Sequence, residues 1–431
     1  MHHDIETAPV LIEAGSPPGT EGGQDGGLGD DAMTRMLLPL LRLALGAALL
    51  APILSVAEAA RAAEPYVIDV ITSLSGGGAF LGNIEKVNLE AHLVSINRNG
   101  GIAGRPLAFT YYDDETSPQR GLQLAQQVFA AHPVVILGPT LQALCNAISP
   151  VLTEGPVMYC LSNSFKPPAG GYSFSSGNST VDMAAVLMTY FRLKGLTRIA
   201  VMNSTDATGQ SADAAIDGLL ARPENAGMTK VEHQHFNVSD VNVAAQIERI
   251  RASGAQALFA WTTGAALATV FKGMIQAGLD IPVGTTAGNQ TVSQMEQYEG
   301  FMPKEVLIGS ALWPAHDGIV TLDARVEAEQ HEMYRTLKDA GIQPDVGAGT
   351  TWDTVSIVVA GLRKLGPAAD PRGLRDFIAG LADFPGIEGV YDFKTYPDRG
   401  IGPASSTVVR YDPAGKSWVW MSKPGGEPLA R

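Results

Sequence analysis

The chain has 431 residues, of which 45% are hydrophobic and 17% charged, with a formal net charge of −14. That is enough chain and apolar material for two or three ordinary domains with cores of their own. Eight acids and three bases fall in the first 62 residues, so the remainder still carries −9, and no basic run occurs anywhere; nucleic acid and anionic membranes are poor candidates for partners.

In chain order, residues 1–32 are rich in Gly and Asp, lack hydrophobic periodicity and precede a better start at Met33; they read as disordered or as a mis-called start. Residues 33–62 have the layout of a signal peptide: Arg35 and Arg42, an uncharged apolar stretch over Leu43–Leu54, then small residues that set cleavage after Ala59 or Ala62. The apolar stretch falls short of the roughly 20 residues of a membrane span, and Arg42 breaks any longer reading. No cysteine stands beside the cleavage site to carry a lipid, so a soluble periplasmic product is expected rather than an uncleaved anchor. Cys145 and Cys160 are the two cysteines of the chain, expected as buried free thiols in preference to a disulfide.

From Tyr66 strand-like and helix-like segments alternate. VIDVI leads into a helix over Ile84–Asn97, closed at NRNGG by Gly100; LAFTYY and VVIL flank a helix over Pro118–Ala131. After a join near Gly177–Asp182 the rhythm resumes with RIAVMN, a helix from Gly209, KVEHQHF, NVAAQIERIRASG, ALFAWT, a helix ending at Gly278, and IPVGTT. Long helices over Ala324–Ala340 and Trp352–Leu365 follow, then the strand-rich pieces VYDF, TVVRYD and SWVWM. Two such series predict an α/β protein of two doubly wound parallel-sheet lobes.

Among possible chemical motifs, Gly76, Gly78 and Gly82 in ITSLSGGGAFLGN come close to a dinucleotide fingerprint, but the next strand ends at Asp113 and Asp114, too far along to hold a ribose. Those two acids suit a strand end entering a helix N-cap, a structural role. His233 and His235 alternate along a strand and could pinch a metal; with no third ligand nearby, a polar sheet face is the better reading. Trp261 and Thr263 close a strand, where open α/β sheets put their ligands. No nucleophile–base–orienter set is present, so no catalysis, cofactor or metal is expected.

The ordered chain resembles, from residue 66 to about 420, the periplasmic substrate-binding proteins of ABC transporters, of the leucine/isoleucine/valine-binding type (type I periplasmic binding proteins). The likeness is carried by SGGGAFLG, INRNGGIAGRPLAFTYYDDETSP, VVILGPT, TRIAVMNSTDATGQ, TTGAALATVFKGMIQAGLDIP, TWDTVSIVVAGLRKLG and GIEGVYDF, in that order. The resemblance implies a three-crossover hinge, with 65–178 plus 316–388 forming the first lobe and 179–315 plus 389–431 the second. It also implies a small-molecule ligand held between the lobes, permease subunits in the inner membrane as partners, and a monomer. A periplasmic sensor on the same fold, signalling to a membrane receptor, is the alternative.

Ligand contacts carried over from the family fall in the loops after the strands. The opening loop offers Ser75, Phe80 and Leu81; GPTLQALC offers Thr140 or Gln142 where the family has a serine; CLSNSF offers Ser162 and Ser164; DATGQ offers Thr208. VGTTAGNQT presents Thr286 and Asn289 where amino-acid binders place an acid. A buried ammonium without a counter-charge is costly. Neutral donors with Phe80, Leu81 and Trp261 nearby therefore favour a small organic carboxylate, an aromatic one included, over leucine or another amino acid.

Overall fold

The structure is a computed structural model and describes residues 63–314 and 322–430. The expected signal peptide and the stretch before it lie outside the described residues.

Strands β1 (Tyr66–Thr72), β2 (Leu107–Asp113), β3 (Val135–Leu137), β4 (Val157–Cys160) and β5 (Ser173–Ser175) form one all-parallel sheet in the order β2-β1-β3-β4-β5. β3 and β4 are buried at every position, which is why they read as unbroken apolar runs: helices cover both faces of a parallel sheet. Helices α1 (Ala79–Arg98), α2 (Pro118–Phe129) and α3 (Gln142–Ile148) make the crossovers between these strands. α1 starts directly after Gly78 with no side-chain cap, so the sequence carries no start signal there and the helix begins earlier than the spacing predicts. Ser117, rather than Asp113 or Asp114, caps α2 by accepting the Arg120 amide at 3.3 Å.

The chain then enters the second lobe. α4 (Thr180–Leu193), β6 (Arg198–Ser204), α5 (Ala207–Leu220), β7 (Thr229–Phe236), α6 (Ala244–Ala252), β8 (Ala257–Trp261), α7 (Ala265–Gln276), β9 (Val283–Thr286), α8 (Val292–Tyr298) and β10 (Val306–Ser310) follow in strict alternation. α9 (Ala324–Asp339), α10 (Val346–Leu365), α11 (Pro371–Ala379) and the hairpin β11 (Phe384–Gly386)–β12 (Gly389–Tyr391) return to the first lobe. β13 (Thr407–Asp412) and β14 (Ser417–Trp420) complete a seven-stranded sheet of order β14-β13-β10-β9-β8-β6-β7, parallel except for those two.

Two findings differ from the sequence reading. Tyr391, Phe393 and Ile401 bury in the first lobe's core, whereas the resemblance places 389–431 in the second; β12 pairs with β11 and stays beside it, so the last crossing falls after Ile401. Cys145 on α3 and Cys160 on β4 are joined as a disulfide, their Cα atoms 6.1 Å apart, in place of the expected free thiols. The β3–α3–β4 crossover lays α3 over β4, and a separation of 15 residues along the chain says nothing of that facing.

Where the chain crosses between lobes, one side chain ties the segments together. Asn178 Nδ2, on the first crossing, donates to the Ser310 carbonyl at 3.0 Å and the Ser405 carbonyl at 3.1 Å, at the start of the second crossing and within the third. The buried Arg399 guanidinium donates to the carbonyls of Asn163, Gly177 and Phe165.

Candidate functional site

The loop after β1 is built by its own residues. Leu74 and Ser75 amides donate to Asp113 Oδ1 at 2.9 and 3.1 Å, the Glu115 amide joins them at 2.9 Å, and the Gly78 amide donates to Thr116 Oγ1. Burial works to raise the Asp113 carboxyl, but the Ser75 hydroxyl and these amides hold it below the ordinary carboxylate range. The Leu74 and Ser75 amides at the start of the glycine loop are thus spent on the protein's own Asp113. Gly82 serves the packing of α1 instead. A Cβ there would stand 2.1 Å from the Ser73 carbonyl oxygen, so glycine is what lets α1 lie against the end of β1.

Because α1 lies so close, its inner face forms one wall of a cavity between the lobes. Leu81 and Glu85, one turn apart, come from α1; Thr140 and Leu141 come from the loop after β3 and Gln142 from the first turn of α3; Leu161, Ser162, Asn163 and Ser164 follow β4. The second lobe contributes Thr208, Thr263, Thr286 and Gly288, and α10 adds Val346 and Thr350. Open α/β sheets gather ligands at the carboxyl ends of their strands, and both sheets here turn those ends toward this cavity. Its volume is about 50 Å³, room for only a few water-sized molecules. A larger cavity of about 540 Å³ shares Gln142 and Ser164 and runs toward the hinge past Lys166, Tyr396 and Arg399.

Of the residues read from the sequence, Leu81, Thr140, Gln142, Ser162, Ser164, Thr208, Thr263 and Thr286 meet at the smaller cavity. Ser75 is exposed and serves the Asp113 turn. Phe80 reaches across to Gly264 of the second lobe, where a Cβ would fall 2.9 Å from its ring, and so marks the rim. Trp261 is fully buried in the second lobe's core. Asn289, equally buried, organises the floor instead: it donates to Thr262 O and Thr285 Oγ1 and accepts the Gly264 amide. Gln142 Nε2 donates to Ser211 Oγ at 2.9 Å, a bond from lobe to lobe.

Glu85 corrects the expectation that the cleft lacks an acid. It is buried, and its Oε2 accepts the Thr140 hydroxyl at 2.7 Å. Burial pushes its carboxyl up to about 8, outweighing the hydroxyls of Thr140, Thr72 and Thr350 that favour the ionised form. Among the described residues lining this cavity none is Lys, Arg or His. The signal for Glu85 was present in the spacing, since Leu81 and Glu85 stand four apart on one helix face.

The profile of a family described as periplasmic binding protein matches residues 65–416. The Leu/Ile/Val-binding protein homolog 3 of Brucella melitensis is 22% identical over 362 residues, covering 82% of this chain and 93% of that one. Among solved structures, an extracellular ligand-binding receptor from Rhodopseudomonas palustris superposes with a TM-score of 0.72 at 19% identity, covering 84% of this chain and 100% of its own. A branched-chain amino acid transporter substrate-binding protein, LivJ, from Streptococcus pneumoniae, in complex with isoleucine, does so at 0.67 and 15% identity, covering 85% and 98%. No helix among the described residues is long and apolar enough to cross a membrane.

Proposed function

Because this chain belongs to the periplasmic binding protein family, an extracytoplasmic ligand-binding family, we propose that its two lobes close on a small organic carboxylate and deliver it to an ABC permease. One observation carries the ligand class: a cavity of hydroxyls, amides and short apolar side chains whose single acid, Glu85, is buried without a basic partner, so that burial pushes its carboxyl up to about 8. A protonated Glu85 is a donor, and with Ser162, Ser164 and Thr208 around it a carboxylate can be held without a cation. Leu81, Leu141, Leu161 and Val346 suit an apolar body.

The same Glu85 supports a second reading. Were it to ionise on closure, it would pair the ammonium of an α-amino acid, the ligand class in the names of the Brucella and Streptococcus relatives. Proton counting separates the two. With the carboxyl at about 8, a carboxylate ligand takes up about one proton on binding at about pH 9 and almost none at about pH 6. An amino acid instead expels about one proton at about pH 6. Calorimetry with benzoate and with leucine, in buffers of different ionisation heat, measures this directly. Benzoate binding with uptake at the higher pH supports the proposal; leucine binding with proton release at the lower pH, and no carboxylate bound, refutes it.

A further inference from the structure

Strand β7 is the edge of the second sheet and pairs only with β6. His233 and His235, two residues apart on β7, lie on the same face. Helix α5 packs against β6 and brings Asp213 to them, the third group that sequence proximity does not reveal. His233 Nε2 stands 2.8 Å from Asp213 Oδ1 and His235 Nε2 2.7 Å from Oδ2. The two imidazole rings have centroids 4.5 Å apart, and the atoms the three residues can offer a metal lie within 4.8 Å of one another.

We propose that Asp213, His233 and His235 form a site for a divalent transition-metal ion such as Zn²⁺ or Ni²⁺, outside the ligand cleft. Two imidazole nitrogens and a carboxylate select such ions over Ca²⁺ or Mg²⁺, which prefer all-oxygen sites. Metal–ligand bonds of about 2.0–2.2 Å put neighbouring ligand atoms about 3 Å apart, so the ion replaces two hydrogen bonds to Asp213 with side-chain adjustments only. Asn203 Nδ2 donates to Asp213 Oδ1 at 2.8 Å and fixes the carboxylate, the orienting support that metal ligands usually have. Three protein ligands leave a position open to solvent, and His235, with 45% of its side chain exposed, gives the ion a way in. Lys230 works against a cation, since its Nζ lies 3.5 Å from His233 Nδ1; it also pairs with Asp217, one turn further along α5, which takes up its charge. A bound ion would fasten edge strand β7 to α5, the helix whose first turn carries Thr208 to the cleft.

The test uses tag-free mature protein stripped with a chelator. Titration with Zn²⁺ and with Ni²⁺ should show one ion per chain with micromolar affinity and a raised melting temperature, and the Cu²⁺ form should show two imidazole nitrogens by electron paramagnetic resonance. His235→Gln, a change at a largely exposed side chain, should weaken binding at least tenfold while the metal-free protein melts as wild type. Asp213→Asn should do the same to affinity. No saturable binding below about 100 µM, affinity indifferent to His235→Gln, or a copper spectrum with fewer than two nitrogens would overturn the assignment. Ligand binding in the cleft is measured separately and does not depend on these outcomes.

Discussion

In the cleft wall the hydroxyls of Thr72 and Thr140 and the carboxyl of Glu85 stand in a row, 2.8 and 2.7 Å apart. The Thr140 hydroxyl donates to Glu85 and is itself hydrogen-bonded to that of Thr72. This chain leaves the carboxyl oriented but uncompensated by any base, which is why burial dominates its ionisation. For a carboxylate ligand the wild-type affinity should be flat below about pH 7 and fall about tenfold per pH unit above about 8, as Glu85 loses its proton. Glu85→Gln keeps an acceptor for Thr140 and a neutral donor toward the ligand. Its affinity near neutrality should stay within about tenfold of wild type and the alkaline decline should vanish. Dissociation constants measured from about pH 6 to 10 check this; a variant that keeps the alkaline decline would place the titrating group elsewhere.

Among the elements, the segments between the lobes are fastened by few but well-directed bonds. Asn178 binds two carbonyls on different crossings, and removing its amide leaves the buried Ser310 carbonyl and the half-buried Ser405 carbonyl short of a donor. Asn178→Ala should therefore lower unfolding stability by about 1–3 kcal/mol, visible in urea denaturation. The closing of the lobes should also become less sharply defined, since the three crossings would no longer move together. A variant as stable as wild type would mean that water replaces the amide at no cost. α3 shows a second kind of fastening: Cys145 pins it to β4, and its first residue, Gln142, reaches Ser211 on α5. The helix joins a covalent tie within one lobe to a breakable hydrogen bond with the other.

For the whole molecule, the buried acids set an unusual pH response. Burial raises Glu85 to about 8 and Asp345 to about 7, and raises Glu388, beside the Asp353 carboxylate, as well. Each of these binds a proton in the folded state at pH values where the unfolded chain has released it, so stability falls as pH climbs from about 4.5 to about 8. His92 acts in the opposite direction. Burial lowers it to about 3, and the stability it contributes is lost as pH drops below its unfolded value of about 6.5. Between about 6.5 and 8 the release of protons by these buried acids outweighs what remains of the His92 contribution. Urea midpoints should be lower at about pH 8 than at about pH 6.5, and the negative net charge adds to the trend. A midpoint that rises steadily across this range would contradict the buried-acid account.

How much of this was legible in the chain can be traced to particular residues. Apolar runs such as VVIL and ALFAWT, with helical spacing between them, determined the two-lobed α/β class, because the period and length of a run record how its element is buried; Thr140, Ser162 and Thr286 came from the resemblance to the family. What no local pattern holds is which faces meet. Glu85 shares a helix face with Leu81, but only the approach of α1 at Gly82 turns that face to the cleft. The pairing of Cys145 with Cys160, the meeting of Asp213 with His233 and His235, and the reach of Asn178 to Ser310 and Ser405 likewise depend on crossovers that bring distant segments together. Those were decided by the packing of whole elements, where the favourable contact lies between residues that the sequence keeps apart.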